Sequence, residues 1–540
     1  MKPEEFKISS EKFNFANSNK SLHDKELDTK PISYFKDAFS RFKKNKASIV
    51  ATIIICILVL YAIIVPIVSP YSVSYNDENY RGTLPKVEFL AETNVLDGCK
   101  EQDMNEITFL INYSMGVETG HNTIKNQEYE KYTITQKSKN PNTGKMEEKE
   151  VNMYKARVDT YHKVGTVFKL LTLDEYKELQ AYQDEHEVQI IYPITKSSLR
   201  PTHAIYQKDA NIWFATKQKG QQMVPIVEID ENGVISFENI YEKLSFNDDG
   251  TPILKSDPYT SKMRVEGADT PLYKYSKKND GDNYEVRVNY YEYYIYYHQH
   301  ILKDRITKPS FIFGTSVSSG QDIFTCLASG ARFSFILAII VATVNLVVGA
   351  IYGAIEGYYG GKIDLIMERF VEILSAVPFM IVITLLKYQM AGSNHVLILF
   401  ISFFLTGWIG MAGRTRMQFY RFKNQEYVLA SRTLGAKDWR IMFKHIFPNS
   451  LGTLVTSCVL VIPSMIFSET SLSYLGIINL NSGNMTSVGT LLANGQPYLV
   501  TYPHMILFPA IFISLLMLSF NLFGNGLRDA FNPSLRGTED

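Results

Sequence analysis

Two histidines, a few acids and a glycine-rich turn are the residues whose types and spacing could do chemistry. In YYEYYIYYHQH, His298 and His300 are two apart, so on a strand they would share a face able to hold a metal. Two ligands with no obvious third fit a half-exposed aromatic strand better. NDGDN, at 279–283, offers acidic oxygens for calcium but lacks the length and closing glutamate of an EF-hand loop, and reads as a surface turn. GYYGGK, at 357–362, has the wrong glycine spacing for a phosphate loop. It continues with Ile363 where a hydroxyl is needed, and so reads as a connecting turn between apolar runs. These residues define no catalytic site, no metal site and no bound cofactor.

Acids in apolar surroundings say more, because ionisable groups at membrane depth pair with one another or face a wet cavity. Glu368 and Glu372 lie near the start of one apolar run, with Arg369 spaced to pair with Glu372 on a helix. Glu469 has no basic residue close in sequence, which leaves a water-filled pathway and an interhelical hydrogen bond as equal readings.

A third constellation is EYVLASRTLGAKDWRIMFKHIFPN, at 426–449. Residues 424–434, including Leu429, Ala430 and Ser431, can form about three helical turns, stopped by Gly435 and followed by Ala436. Asp438 can cap a second helix that lines up Trp439, Met442, Phe443 and Ile446 on one face, with Arg440 and Lys444 beside it. Pro448 marks the turn into the next apolar run. Lipid attraction needs only basic charge, whereas an aromatic row beside an alanine-glycine turn suits a groove on a protein.

The elements that position these residues are mostly membrane spans. Apolar runs at 47–68, 333–355, 370–388, 395–413, 451–473 and 505–523 are each about long enough to cross a bilayer, giving six expected spans, helical and kinked at Pro378, Pro463 and Pro509. About forty polar residues precede the first, which marks it as a retained anchor rather than a cleaved signal. Just before it, 32–46 spaces Phe35, Phe39 and Phe42 as on an interfacial helix. Lysines and arginines collect before the first span and over 414–444, while 473–503 holds no charge. Both basic segments and both chain ends are therefore expected in the cytoplasm, and the long polar stretch after the first span outside.

That stretch reads as a folded α+β domain rich in strand, its core between about 88 and 297. EITFLINYS places Ile107, Phe109, Ile111 and Tyr113 on one strand face, VEIDENGVISFE carries a hairpin signal at Asn232-Gly233, and Thr172 and Glu175 have capping-box spacing ahead of a helix. The four cysteines, Cys56, Cys99, Cys326 and Cys458, are scattered and suggest no disulfide or metal framework. With 55 basic and 55 acidic side chains the chain gives no electrostatic argument for a nucleic-acid partner.

The stretch 426–449 resembles the cytoplasmic EAA loop of bacterial ABC importer permeases. Ala430, Gly435 and Pro448 match, while Leu429 stands in place of the usual glutamate and Ser431 in place of the second alanine. RFKKNKAS, VPIVSPY, FGTSVSSGQDIFTCLASGARFS, ETSLSYLG and NLFGNGLRDAFNP resemble, in order, the signatures of the C-type permease subunit of oligopeptide and dipeptide importers, with Gln321 for arginine and Asn525 for aspartate. The likeness spans about 39–71 and 313–533 and leaves out the polar middle.

It implies an all-α, six-helix type I importer fold. The expected layout is a disordered cytoplasmic tail at 1–31, interfacial helix and first span at 32–70, inserted extracellular domain at 71–312, permease core at 313–533 with the loop at 424–448, and a tail at 534–540. The partners it implies are a homologous second permease, two cytoplasmic ATPases carrying ATP and Mg, a lipid-anchored extracellular substrate-binding protein, a peptide substrate and membrane lipid, in a bacterial cytoplasmic membrane. Leu429, Ala430, Ser431, Gly435, Ala436, Asp438, Trp439, Arg440, Phe443 and Pro448 would enter an ATPase groove. Import of nickel or another small solute, and a surface receptor or adhesin without transport, are the competing readings.

Overall fold

The computed structural model describes residues 34–139, 146–192, 284–480 and 485–531, with short pieces at 210–211, 214–217, 222–225, 227–229, 235–236, 248 and 276–277. The two expected tails, NDGDN and the Asn232-Gly233 turn lie outside the described residues.

Helix α1 (Tyr34–Lys44) joins α2 (Lys46–Val68) at Asn45, whose side chain accepts the Ser48 amide hydrogen bond at 3.3 Å. A helix stands where the interfacial one was expected, and it buries Ala38 and Phe42 against Phe523 and Ala530 near the end of the last helix.

From α2 the chain enters the strand-containing region expected to be an inserted domain. After a single turn, α3 (Glu88–Ala91), strand β1 (Cys99–Asn105) leads into α4 (Glu106–Thr119), β2 (Ile124–Lys139) and β3 (Met146–Asp159). These strands make an antiparallel sheet in the order β1-β3-β2, and Phe109 of α4 stacks on Tyr154 with ring centroids 4.2 Å apart. The predicted strand over EITFLINYS is therefore a helix. Asn105 caps it by accepting from the Thr108 amide at 2.9 Å, and Gly120, at φ 72°, ends it. Alternating apolar residues suggested a strand, but Phe109, Asn112, Met115, Gly116 and Thr119 are buried at helical spacing.

A second sheet contains β4 (Thr166–Leu171), β5 (Ile191–Tyr192), β10 (Ser276–Lys277) and β11 (Tyr284–Asn289), with β11 pairing the other three. Between them, α5 (Leu173–Glu185) carries the expected capping box of Thr172 and Glu175. Two small ribbons, β6 (Phe214–Lys217) with β7 (Gln222–Pro225) and β8 (Glu228–Ile229) with β9 (Ile235–Ser236), are antiparallel, the last being the hairpin pairing expected. A buried ion pair fastens the second sheet to α4: Arg287 donates to both oxygens of Glu118 at 2.6 and 2.7 Å.

YYEYYIYYHQH is also helical, as α6 (Tyr290–Tyr296) and a π-helical turn (Tyr297–Leu302). Nearly every position there is aromatic, so alternation marks no face. Burial of Tyr290, Tyr293 and Tyr294, with Asn289 capping the Tyr291 amide, selects the helix. His298 bonds Asp304 at 2.7 Å and His300 bonds Glu178 at 3.1 Å, so the two rings do not share a face.

The insertion hangs from a neck of two hydrogen-bonded chain segments. Thr83 and Thr315 exchange bonds at 2.8 and 2.9 Å, and the Lys86 amide donates to Phe311 at 3.0 Å. Around the neck Tyr71, Tyr80, Tyr161, Tyr290, Tyr294 and Phe311 form one core, where buried Asp77 accepts the Tyr290 hydroxyl at 2.7 Å.

Beyond the neck run α7 (Ile323–Tyr359), α8 (Gly361–Ser375), α9 (Phe379–Gln389), α10 (His395–Gly407) and α11 (Ile409–Phe422). After them come α12 (Glu426–Thr433), α13 (Asp438–Arg440), a π-helical stretch (Ile441–Ile446), α14 (Phe447–Tyr474), α15 (Val488–Gly495) and α16 (His504–Phe531). Among the described residues five helices are long and apolar enough to cross a membrane, α2, α7, α10 with α11, the run Asp438–Tyr474, and α16, and up to six if the bent pair of α8 and α9 is one span. The predicted span at 370–388 falls on the pair α8 and α9, which is apolar enough to span as a unit but is bent by 72° at the break. Pro378 opens α9, and a proline keeps the residue before it out of helical geometry. Helix α7 lies close against α11. A Cβ built on Gly349, Gly353 or Gly357 would fall 2.6, 2.1 or 2.7 Å from the carbonyl oxygens of Trp408, Ala412 and Arg416.

Candidate functional site

The helix pair at 426–446 closes with a Schellman motif: the Ala436 amide donates to Ser431 at 3.1 Å and the Gly435 amide to Arg432 at 3.0 Å. Gly435 sits at φ 81°, where a side chain is strained whatever the space around it. Under the turn, Val428, Ile441, Met442 and Ile446 are buried with Ala354 and Tyr358 of α7 and Phe419 of α11. The pair is thereby seated on the helix bundle.

Three expectations change. Asp438 caps nothing: Lys437 occupies the N-cap, and the Asp438 carboxylate instead accepts the Tyr358 hydroxyl at 2.7 Å. The predicted row is split. Met442 and Ile446 point inward while Trp439 is 64% exposed, because the π-helical stretch inserts an extra residue per turn and rotates the face. Pro448 starts no turn, for the helix runs from Asp438 to Tyr474 and the π-helical stretch precedes the ring.

What remains outward is a continuous patch. Leu429 and Ala430 are exposed on α12 and Leu434 at its C-cap, while Ser431 and, at the turn, Ala436 are half-buried. Trp439 and Phe443, ring centroids 4.0 Å apart, line an open hollow with Arg440, Lys444 and Pro448. The structure thus gathers the predicted loop residues at one end of the bundle, except Asp438, which is drawn toward α7.

Glu469 lies elsewhere, buried between helices. Its carboxylate accepts from Ser334 of α7 at 2.8 Å and from Ser473 of its own helix at 3.0 Å. Glu372 pairs with Arg369 as spacing suggested, whereas Glu368 joins a cluster that sequence reasoning did not assemble. Arg416 donates to Asp364 at 2.7 and 3.0 Å and to Glu368 at 2.8 Å, and lies 3.5 Å from buried Glu356. Its members are up to 60 positions apart in sequence, between Glu356 and Arg416. The one local signal was an acid flanked by Gly353 and Gly357 in an apolar run.

The described residues thus form a bundle of apolar helices with an apolar-basic helix pair seated at one end. Residues 346–537 match the family of the binding-protein-dependent transport system inner membrane component, and residues 33–85 match the N-terminal TM domain of oligopeptide transport permease C. The oligopeptide transport system permease protein OppC of Bacillus subtilis (strain 168) is 44% identical over 224 residues, 42% of this chain and 72% of that one. The dipeptide transport system permease protein DppC of the same organism is 40% identical over 225 residues, 42% of this chain and 69% of that one. OppC of Escherichia coli (strain K12) is 38% identical over 224 residues, 42% and 72% respectively. The chain belongs to the family of binding-protein-dependent transport system inner membrane components: it is a membrane-embedded permease subunit of an ABC importer, and ATP hydrolysis in that family falls to separate ATPase subunits.

Proposed function

We propose that this permease forms half of a translocation pathway for oligopeptides, its other half being a homologous permease. Two cytoplasmic ATPases, carrying ATP and Mg, drive it through the helix pair. Leu434, 88% exposed, and Trp439, 64% exposed, are the observation that carries this reading, since large apolar side chains on a fixed turn are what a partner's groove covers. Leu429, Ala430, Ser431, Arg440, Phe443 and Pro448 border the same patch, and Gly435 and Ala436 shape it. The excess of lysine and arginine on α1 and over 414–444 supports a cytoplasmic position for this patch and for both chain ends, in a bacterial cytoplasmic membrane.

The inserted domain then lies outside, where it receives a lipid-anchored substrate-binding protein. The peptide substrate is supported by the relatives' names; nothing in them favours nickel or a receptor role. Coupling requires that the ATPases bind the pair differently in the two transporter states.

The test is a photo-crosslinker at Trp439 in the complex purified from native membranes. Crosslinks to a nucleotide-binding subunit, with peptide uptake dependent on ATP, are expected. A complex lacking any such subunit at this patch would refute the reading.

A further inference from the structure

Helix α8 buries none of its residues and meets α9 at a 72° bend. Its polar anchors come from α7 and α11. Arg416 holds Asp364 with two bonds and Glu368 with a third, Tyr420 donates to Asp364, and the Tyr352 hydroxyl donates to the Met367 carbonyl at 2.9 Å.

The same helix ends meet the coupling pair. Lys423 at the end of α11 ties it to α7 by donating to the Gly357 carbonyl at 3.0 Å, and Tyr358 of α7 bonds Asp438 of the pair, with the Arg432 guanidinium 5.7 Å from the Tyr358 ring centre. Phe419 and Ala354 pack beneath Val428 and Ile441.

We infer that Arg416 is a positioning residue that joins α8 to the coupling pair as one body, so that movement of the pair changes the angle between α8 and α9 at Pro378. The inference rests on the proposed coupling role. A planar guanidinium is required because its fork serves Asp364 with two donors while a third reaches Glu368. An ammonium cannot span the set. Loss of the cation would leave Glu356, 1% exposed, without its countercharge.

The experiment uses the assembled transporter with its four native cysteines replaced and spin labels placed in pairs at exposed Ile366 (α8), Tyr388 (α9) and Glu426 (α12). Subunit composition is checked first, so that absence of an ATPase counts against the coupling role and not against this inference. Between the nucleotide-free state and one trapped with a non-hydrolysable ATP analogue, the 366–426 distance should hold and the 366–388 distance should change. A 366–426 change as large as the 366–388 change, or a constant 366–388 distance, overturns the inference on the unmodified hub.

Arg416→Lys and Arg416→Gln should retain ATPase association and hydrolysis while peptide moved per ATP falls roughly 2- to 30-fold, the range for a residue that carries coupling without touching ligand. Lysine should not rescue. Wild-type transport per ATP in both variants also overturns it, and if neither variant assembles, the distances decide.

Discussion

At Gly435 an added methyl would touch nothing within 4 Å, so the penalty of substitution is in the backbone alone. Gly435→Ala should loosen the turn by about 1–2 kcal/mol, the cost of a left-handed L-residue. Gly435→Pro adds the loss of the amide bond to Arg432 and a φ the ring cannot reach. Titrating the solubilised permease with its ATPase should show weakened binding for alanine and none for proline; equal affinities would contradict the role given to this turn.

Glu469 offers a sharper choice. If its work is to hold α14 to α7 through Ser334, Glu469→Gln should fold and transport, whereas Glu469→Leu, stranding two hydroxyls, should lower stability by about 1 kcal/mol. A glutamine variant that is stable in thermal unfolding yet inactive in uptake would assign the carboxylate to the pathway.

In the inserted domain, burial alone would raise the Asp97 carboxyl. Hydrogen bonds from Lys125 at 2.7 Å and the Cys99 amide, together with Arg157, outweigh it and hold the group below the usual carboxylate range. A depressed folded value stabilises above the unfolded pKa of about 3.9 and is lost as pH falls through the folded one. The unfolding temperature should therefore fall at acid pH in the wild type, and Asp97→Asn should be less stable at neutral pH with a flatter acid limb.

Among elements, the α7–α11 contact should be the least forgiving. Gly353→Ala puts a methyl 2.1 Å from the Ala412 carbonyl and should destabilise by about 1–3 kcal/mol, while Gly413→Ala, in open space, should be neutral in the same melting experiment. Helices long and apolar enough to span, and the helix-glycine-helix at 426–446, were legible because each rests on local composition or on one residue with special geometry. Alternation misled at EITFLINYS, where a cap and a closing glycine outrank it, and at YYEYYIYYHQH, where every position is large. The π-helical stretch carries no sequence period, so the inward turn of Met442 and Ile446 was hidden. Arg416 was visible only as one basic residue among many, since its carboxylates arrive from α7 and α8.

For the whole molecule, the family matches cover 33–85 and 346–537, and the inserted domain lies between them. Deleting residues 88–297 and rejoining the neck should leave the complex with its ATPases while lowering peptide uptake and binding-protein association. Unchanged values for both would remove the receiving role. The deletion uncovers Tyr80 and Phe311, so assembly should be verified by gel filtration before uptake is measured.

The neck is a paired one, one segment leading back to α2 and the other on to α7, with Thr83 and Thr315 stitched across. A domain tethered by a single strand could swivel freely and would pass on no torque. Held by two, this one turns only with both segments, so a protein that grips it would load α2 and α7 together.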